Sequence, residues 1–207
     1  MSAQALADGL ARLHLDLPRE TQQKLLAYVA LVQKWNKVYN LTAVRGTDKM
    51  LTHHLLDSLA VAPYITGVKT LLDVGSGAGL PGIPLALALS DLHVTLLDSN
   101  SKKVAFLNQA VIELKLSNAT AVCARVENYP SNPLFNVVVS RAFSDLSAFA
   151  ALAGRLVARG GTLLAMKGVH PAAEMAQLKA GFKISEVTPL NVPGLDAQRH
   201  LVFLKAA

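Results

Sequence analysis

The chain has one cysteine, Cys123, among 207 residues, which excludes an internal disulfide and any multi-cysteine metal site. Its six histidines lack the spacing of metal ligands, and no metal is expected. Long apolar runs are missing too. Hydrophobic residues make up 52% of the chain, yet the longest run, 83–89, breaks at Ser90-Asp91, far short of the ~20 residues that cross a bilayer. The N-terminal stretch MSAQALADGLARLHLDLPRE carries Asp8 and Asp16 and no continuous apolar segment, so no signal peptide is read there. A cytoplasmic protein with no membrane partner is expected. Acidic residues are the scarcer charge, 14 against 20 Lys+Arg, and the resulting +6 favours a polyanionic partner without defining one.

The length suits one domain carrying a helical extension. From 18 to 39 the apolar residues Leu25, Val29, Val32, Trp35 and Tyr39 recur at steps of three or four, and Leu51, Leu55, Leu59 and Ala62 repeat the pattern. Residues 1–66 are therefore expected to form a helical cap. Residues 67–207 change rhythm to short β-rich runs separated by helical ones, the mark of an α/β layered core with a largely parallel sheet. Seven strands are predicted, over 70–74, 94–98, 120–124, 136–140, 162–167, 183–188 and 199–205, with helices over 101–114 and 145–158 among the connections. The last two strands are joined by TPLNVPGLDAQ, which has no helical pattern, so that pair is expected to be antiparallel.

A glycine-rich turn joins the first strand to its helix: LLDVGSGAGLPGIPLALA, residues 71–88. In a doubly wound sheet such a turn faces a nucleotide-like ligand. No lysine follows the glycines, which removes a P-loop, and the third glycine falls at 79 where GxGxxG needs it at 80. An NAD-dependent oxidoreductase is thereby weakened but stays open. Pro81 and Pro84 suit a first helical turn and carry no N–H, so they take away donors that a pyrophosphate would use. Asp73 is expected to add negative charge beside the loop, which favours a ligand with a cationic group. Asp98 ends the second strand nineteen residues after Gly79, where an acid accepts from ribose hydroxyls. The loop and this acid together point to S-adenosylmethionine, with Gly75 and Gly77 in the turn and Asp98 on the ribose.

The fourth strand ends in Ser140-Arg141-Ala142-Phe143, unlike the (Asp/Asn/Ser)-Pro-Pro-(Tyr/Phe) of exocyclic-amine methyltransferases. Cys123 is expected to be a small buried hydrophobe in the third strand, which disfavours a covalent cytosine-C5 mechanism. HLLDS, residues 54–58, holds the residue types of a hydrolase triad, but its spacing along a helix forms no relay. An acceptor that is already nucleophilic, such as guanine N7, needs no general base, only alignment and charge management. Arg141 is read as holding the donor's carboxylate or a nucleotide phosphate, or else as a surface residue. Phe143 is read as stacking on a base or packing in the core. Lys102 and Lys103 at a helix start, Lys167 at the end of the fifth strand and Arg199 at the last strand are candidate RNA contacts, with a solvated surface as the alternative for the two helix-start lysines.

Together WNKVYNLT, HLLDSL, LLDVGSGAGLPGIPLA, LLDSNSKKVAFL, ARVE, SRAF and MKG closely resemble the bacterial ribosomal RNA small subunit methyltransferase G family, also called GidB. The resemblance runs through nearly the whole chain. It implies a Rossmann-like class I methyltransferase that moves a methyl group from S-adenosylmethionine to N7 of guanine 527 in 16S ribosomal RNA. It further implies a donor site lined by Gly75, Leu80, Val126, Glu127 and Arg141; a monomer acting on that RNA or the small subunit is expected. A methyltransferase for another guanine or a small molecule, and a non-catalytic RNA-binding protein, stand as alternatives.

Overall fold

Runs such as TLLDV and FNVVVS are apolar at nearly every position, which suits strands covered on both faces of a sheet. In the computed structural model, which describes residues 3–141, 143, 145–179 and 181–207, they form such a sheet. Its strands are β1 (Thr70–Val74), β2 (His93–Asp98), β3 (Ala119–Cys123), β4 (Phe135–Ser140), β5 (Val157–Lys167), β6 (Phe182–Pro189) and β7 (His200–Ala206). The order is β3-β2-β1-β4-β5-β7-β6. The ladders from β3 across to β5 are parallel, and β7 runs antiparallel to both β5 and β6. The strand order therefore reverses between β1 and β4, and the carboxyl ends of β1, β2 and β4 border one crevice.

Strand parity sorts the core into two layers. Leu71, Leu96, Val137, Val139 and Leu164 point to one side, into a cluster with the cap. Leu72, Val74, Leu97, Val138 and Leu163 point to the other, against Phe149 and Leu156. The first layer is continuous from Leu6 and Leu10 of α1 (Ala3–Arg12), through Leu25, Tyr28 and Val29 of α2 (Arg19–Tyr39), to Ile83 of α5 (Gly82–Ala88) and Phe106 of α6 (Ser101–Glu113). Cap and sheet thus share one apolar core. Between α2 and β1, α3 (Thr47–Met50), a π-helical stretch (Leu51–Leu56) and α4 (Asp57–Leu59) run end to end. The wide turn lets Asp57 N–H donate back to the Thr52 carbonyl.

Two boundaries and one burial differ from the expectations. The helix expected over 145–158 is α7 (Leu146–Ala153), and β5 starts at 157 instead of 162. A 3-10 turn over Gly154–Leu156 follows the helix, and Gly154 packs so close to the Phe182 ring that a Cβ there would overlap it. Cys123 is exposed, not buried, because β3 is an edge strand whose outer positions face solvent. The last helix, α8 (Ala172–Ala176), lies between β5 and β6.

Candidate active site

The glycine loop turns its amides inward. Gly75 and Ser76 N–H donate to the Leu97 carbonyl at 2.8 and 3.1 Å, and Gly79 and Leu80 N–H donate to the Ser76 carbonyl. Gly77 N–H donates to Asp98 Oδ2 at 2.9 Å, and Gly82 N–H to Asp73 Oδ2 at 2.9 Å. Ile83 N–H reaches the Gly79 carbonyl, and Pro81 and Pro84 have no N–H. The start of α5 therefore has its donors committed, which is the opposite of a phosphate cradle. Gly75, Gly77 and Gly79 all hold positive φ (72°, 59° and 85°), the conformation that lets the chain fold back this tightly. From the cap, the Tyr28 hydroxyl donates to the Ala78 carbonyl at 2.6 Å, so α2 pins the loop directly.

Asp73 does not act as expected. It follows Leu71 by two residues, shares its face, and lies fully buried under α5, away from the crevice. Burial pushes its carboxyl up to about 7, with the Gly82 amide pulling the other way, so it brings only a fraction of a charge at neutral pH. Gly82 is small because a Cβ there would overlap Leu96 Cδ2 and sit 2.8 Å from Asp73 Oδ2. Gly82→Ala is expected to cost about 3 kcal/mol, read as a lower denaturation midpoint at unchanged m-value.

A cleft of about 430 Å³ opens at the carboxyl ends of β1 and β2, bordered by Val74, Gly75, Leu97, Asp98, Lys103, Val126, Glu127, Phe143 and Leu152. Asp98 is 6% exposed, and besides Gly77 it accepts the Asn100 N–H at Oδ1, 2.8 Å away. Two carboxylate oxygens offer about four acceptor sites, so these two bonds leave capacity for a ligand. Arg155, which the sequence reading did not single out, donates from Nη2 to the carbonyls of Val126, Glu127 and Tyr129 and braces that wall. Gly75, Asp98, Val126 and Glu127 are thus brought together. Gly77 contributes through Asp98, and Leu80 is buried in the cap-side core at 3% exposure.

The basic candidates separate. Lys102 is exposed, while Lys103 turns into this cleft with Nζ 4.0 Å from Asp98 Oδ2. Asn100 caps both their amides, so the start of α6 is satisfied locally. Lys167 is 9% exposed and held by Glu174 Oε2 at 2.6 Å and the Phe143 carbonyl at 3.1 Å, so its ammonium is already paired where it borders the cleft of Arg141 and Arg199. Phe143 packs on Phe149 with ring centroids 5.2 Å apart and also walls the cleft beside Asp98.

Arg141 and Arg199 line a second cleft of about 420 Å³, with Thr42, Val44, His53, His54, Asp57, Met166, Lys167 and Gly168. Both arginines converge on Asp57, which is 2% exposed: Arg199 Nε donates to Oδ1 at 2.8 Å and Arg141 Nη1 to Oδ2 at 3.3 Å. Arg141 Nη1 also donates to the His53 carbonyl. Two guanidinium groups on one carboxylate leave one positive charge in excess, facing the cleft. His54 accepts at Nε2 from the Thr42 hydroxyl at 2.8 Å, because its Nδ1–H donates to the His53 carbonyl at 2.9 Å, which can only accept. Asn36 holds Thr42 by a reciprocal pair of bonds to its backbone.

Burial, then the charge of Arg141, lowers the His54 pKa to about 4, so the ring is neutral at pH 7. A folded pKa below the unfolded 6.5 means stability present above pH 6.5 and lost as pH falls toward 4. Asp73, raised, shifts stability the opposite way over much of that range, so the wild-type profile hides both. The difference between wild type and His54→Gln isolates the histidine. On acidification from pH 6.5 to 4, wild type is expected to lose on the order of 3 kcal/mol relative to that variant, measured by chemical denaturation. A flat difference would contradict the neutral buried ring.

The strand order, the inward-turned glycine loop and the cleft beside Asp98 define a Rossmann-like class I S-adenosylmethionine-dependent methyltransferase fold. A solved glycopeptide N-methyltransferase, MtfA, complexed with S-adenosylhomocysteine, superposes with a TM-score of 0.61 at 14% identity over 73% of this chain and 86% of that one. The sequence model of GidB, rRNA small subunit methyltransferase G, matches residues 21–202. The ribosomal RNA small subunit methyltransferase G of Aromatoleum aromaticum is 54% identical over 99% of both chains, and that of Neisseria meningitidis serogroup C is 52% identical over 96% of both. The chain belongs to the GidB family, rRNA small subunit methyltransferase G.

Proposed function

We propose that this chain transfers a methyl group from S-adenosylmethionine to N7 of guanine 527 in 16S ribosomal RNA, as a cytoplasmic monomer acting on that RNA or the small subunit. The observation that carries the reading is the pair of clefts flanking the turn after β4: Phe143 walls the donor side, and Arg141, two residues earlier, faces the cationic side. On the donor side, Asp98 accepts from ribose hydroxyls, and Val74, Leu97, Val126 and Leu152 offer apolar walls to a purine ring. Gly75 allows close approach, and Glu127 edges the cleft. When bound, S-adenosylmethionine supplies a methyl group on a positively charged sulfur.

On the acceptor side the residues manage charge and not protons. Asp57 is held by two arginines, His54 by Thr42, and His53 Nδ1 by the Thr52 hydroxyl at 2.8 Å. That arrangement suits an atom such as guanine N7, which has a lone pair to give and no proton to lose. Arg141 and Arg199 have guanidinium N–H groups beyond those spent on Asp57, and they serve an anionic group of the bound ligands.

Mapping the methylated position after incubation with unmethylated small subunits and the donor tests the reading. N7-methylguanine at position 527 is the expected product, and methylation at another atom or none on ribosomal RNA in any assembly state would overturn it.

A further inference from the structure

One face of α2 carries Ala30, Gln33, Lys34 and Lys37 at steps of three, one and three, a continuous stripe on the side away from the core. Arg45 and Gly46 of the following loop rise beside it, and with Asn36 and Met50 these residues enclose a groove of about 420 Å³. Lys34, Lys37 and Arg45 are exposed and the lining holds no carboxylate. Lys34 and Lys37 make no ion pair among the described residues, and Arg45 bonds only the neutral Asn40 side chain, at 3.2 Å. Glu20, the acid of α2, is spent on Lys24 near the far end of the helix, and Asp48 and Lys49 of α3 lie outside the lining. Like charges three residues apart on a helix repel. The cap therefore holds an uncompensated cluster of cations in a concave site.

The groove and the cleft of Arg141 and Asp57 are bordered by the same loop. Residues 40–46 form one short loop: Thr42 and Val44 wall the cleft of Arg141 and Asp57, while Arg45 and Gly46 wall the groove. We infer that this groove binds backbone phosphates of the RNA strand leading to or from the target nucleotide, a conclusion that rests on the proposed RNA substrate. The lining offers Ala30 and Met50 as its apolar side chains and no aromatic anchor, which fits a phosphate track better than a protein hot spot. The cap would then bind the RNA strand with the same loop that walls the site, as it also supplies His54 and Asp57 to that cleft.

The test is a Lys34→Ala/Lys37→Ala/Arg45→Ala variant, read by affinity for 16S ribosomal RNA across a salt series, by binding of S-adenosylhomocysteine and by methylation of small subunits. A matched variant, Lys179→Ala/Lys183→Ala/Lys205→Ala, removes the same charge from exposed positions on and beside the far strands. The groove variant is expected to bind RNA at least about tenfold more weakly at low salt and to flatten the log–log salt slope by about 2, at ~0.7 per single-strand phosphate contact, with donor-product binding unchanged. An equal loss in the matched variant would reduce the effect to net charge and overturn the assignment. Unchanged RNA affinity with impaired methylation of particles would assign the groove to a ribosomal protein instead. Unchanged RNA affinity alongside full wild-type methylation sinks the groove alone, whereas a wild type that methylates no ribosomal RNA sinks the functional reading and the groove with it.

Discussion

Asp98→Ala is expected to weaken binding of S-adenosylhomocysteine by about 100-fold or more, because two ribose hydroxyls would lose a charged acceptor and each such bond contributes about 1.5–3 kcal/mol. The same substitution strips the Gly77 and Asn100 amides of their partner, so a fall of about 2 kcal/mol in stability is expected alongside it. The two effects separate with a ligand analogue. Wild type should discriminate strongly against an S-adenosylhomocysteine lacking the ribose 2′- and 3′-hydroxyls, and Asp98→Ala should hardly discriminate at all, which is the coupling a double-mutant cycle measures. Full discrimination retained by the variant, well below its melting temperature, would confine Asp98 to bracing the glycine loop.

Part of the cleft beside Asp98 was legible because topology assembles it, while Val126 and Glu127 entered through the family resemblance. Once alternating βα units are read, the carboxyl ends of β1 and β2 must border one crevice, and Gly75 and Asp98 sit at those ends. Asp73 was misread for want of one further step: a residue two after Leu71 in a strand shares its face, and that face is the cap side. The end of α7 was lost for a different reason. AFAALAGRLVA reads as helix by composition, whereas the chain tightens into a 3-10 turn over Gly154–Leu156, where Gly154 lies against Phe182, a contact between residues far apart in the chain. The acceptor-side cluster was the least legible, since it draws Asn36 and Thr42 from the cap, His54 and Asp57 from the π-helical region and Arg141 and Arg199 from the sheet. A signal did exist. Asn36 continues the stripe of Leu25, Val29 and Val32, and Asp57 and Ser58 fall among Leu55, Leu56 and Leu59, so polar side chains stand where the helical period demands apolar ones.

Replacing Asp57 by alanine should therefore be the most damaging single change on the acceptor side. The carboxylate is 2% exposed while its two arginines are 21% and 28% exposed, so Asp57 carries the desolvation and the arginines can rehydrate in part. Its removal is expected to cost about 2–4 kcal/mol of stability, the lower side of what breaking a buried pair costs. The functional loss should be larger. With no common anchor, Arg141 and Arg199 repel each other and leave the geometry in which both face the cleft, so kcat/KM for ribosomal RNA is expected to fall at least about 100-fold. S-adenosylhomocysteine should still bind within about threefold of wild type, since Asp57 borders the other cleft. Asp57→Glu restores the charge with one methylene too many, so it should recover most of the stability but only part of the turnover. A residue that merely supported the fold would give another pattern: activity per folded molecule near wild type in both variants, with stability alone reduced. That outcome would remove Asp57 as the positioning residue of the acceptor site and leave the excess positive charge of the two arginines as what the cleft offers an RNA ligand.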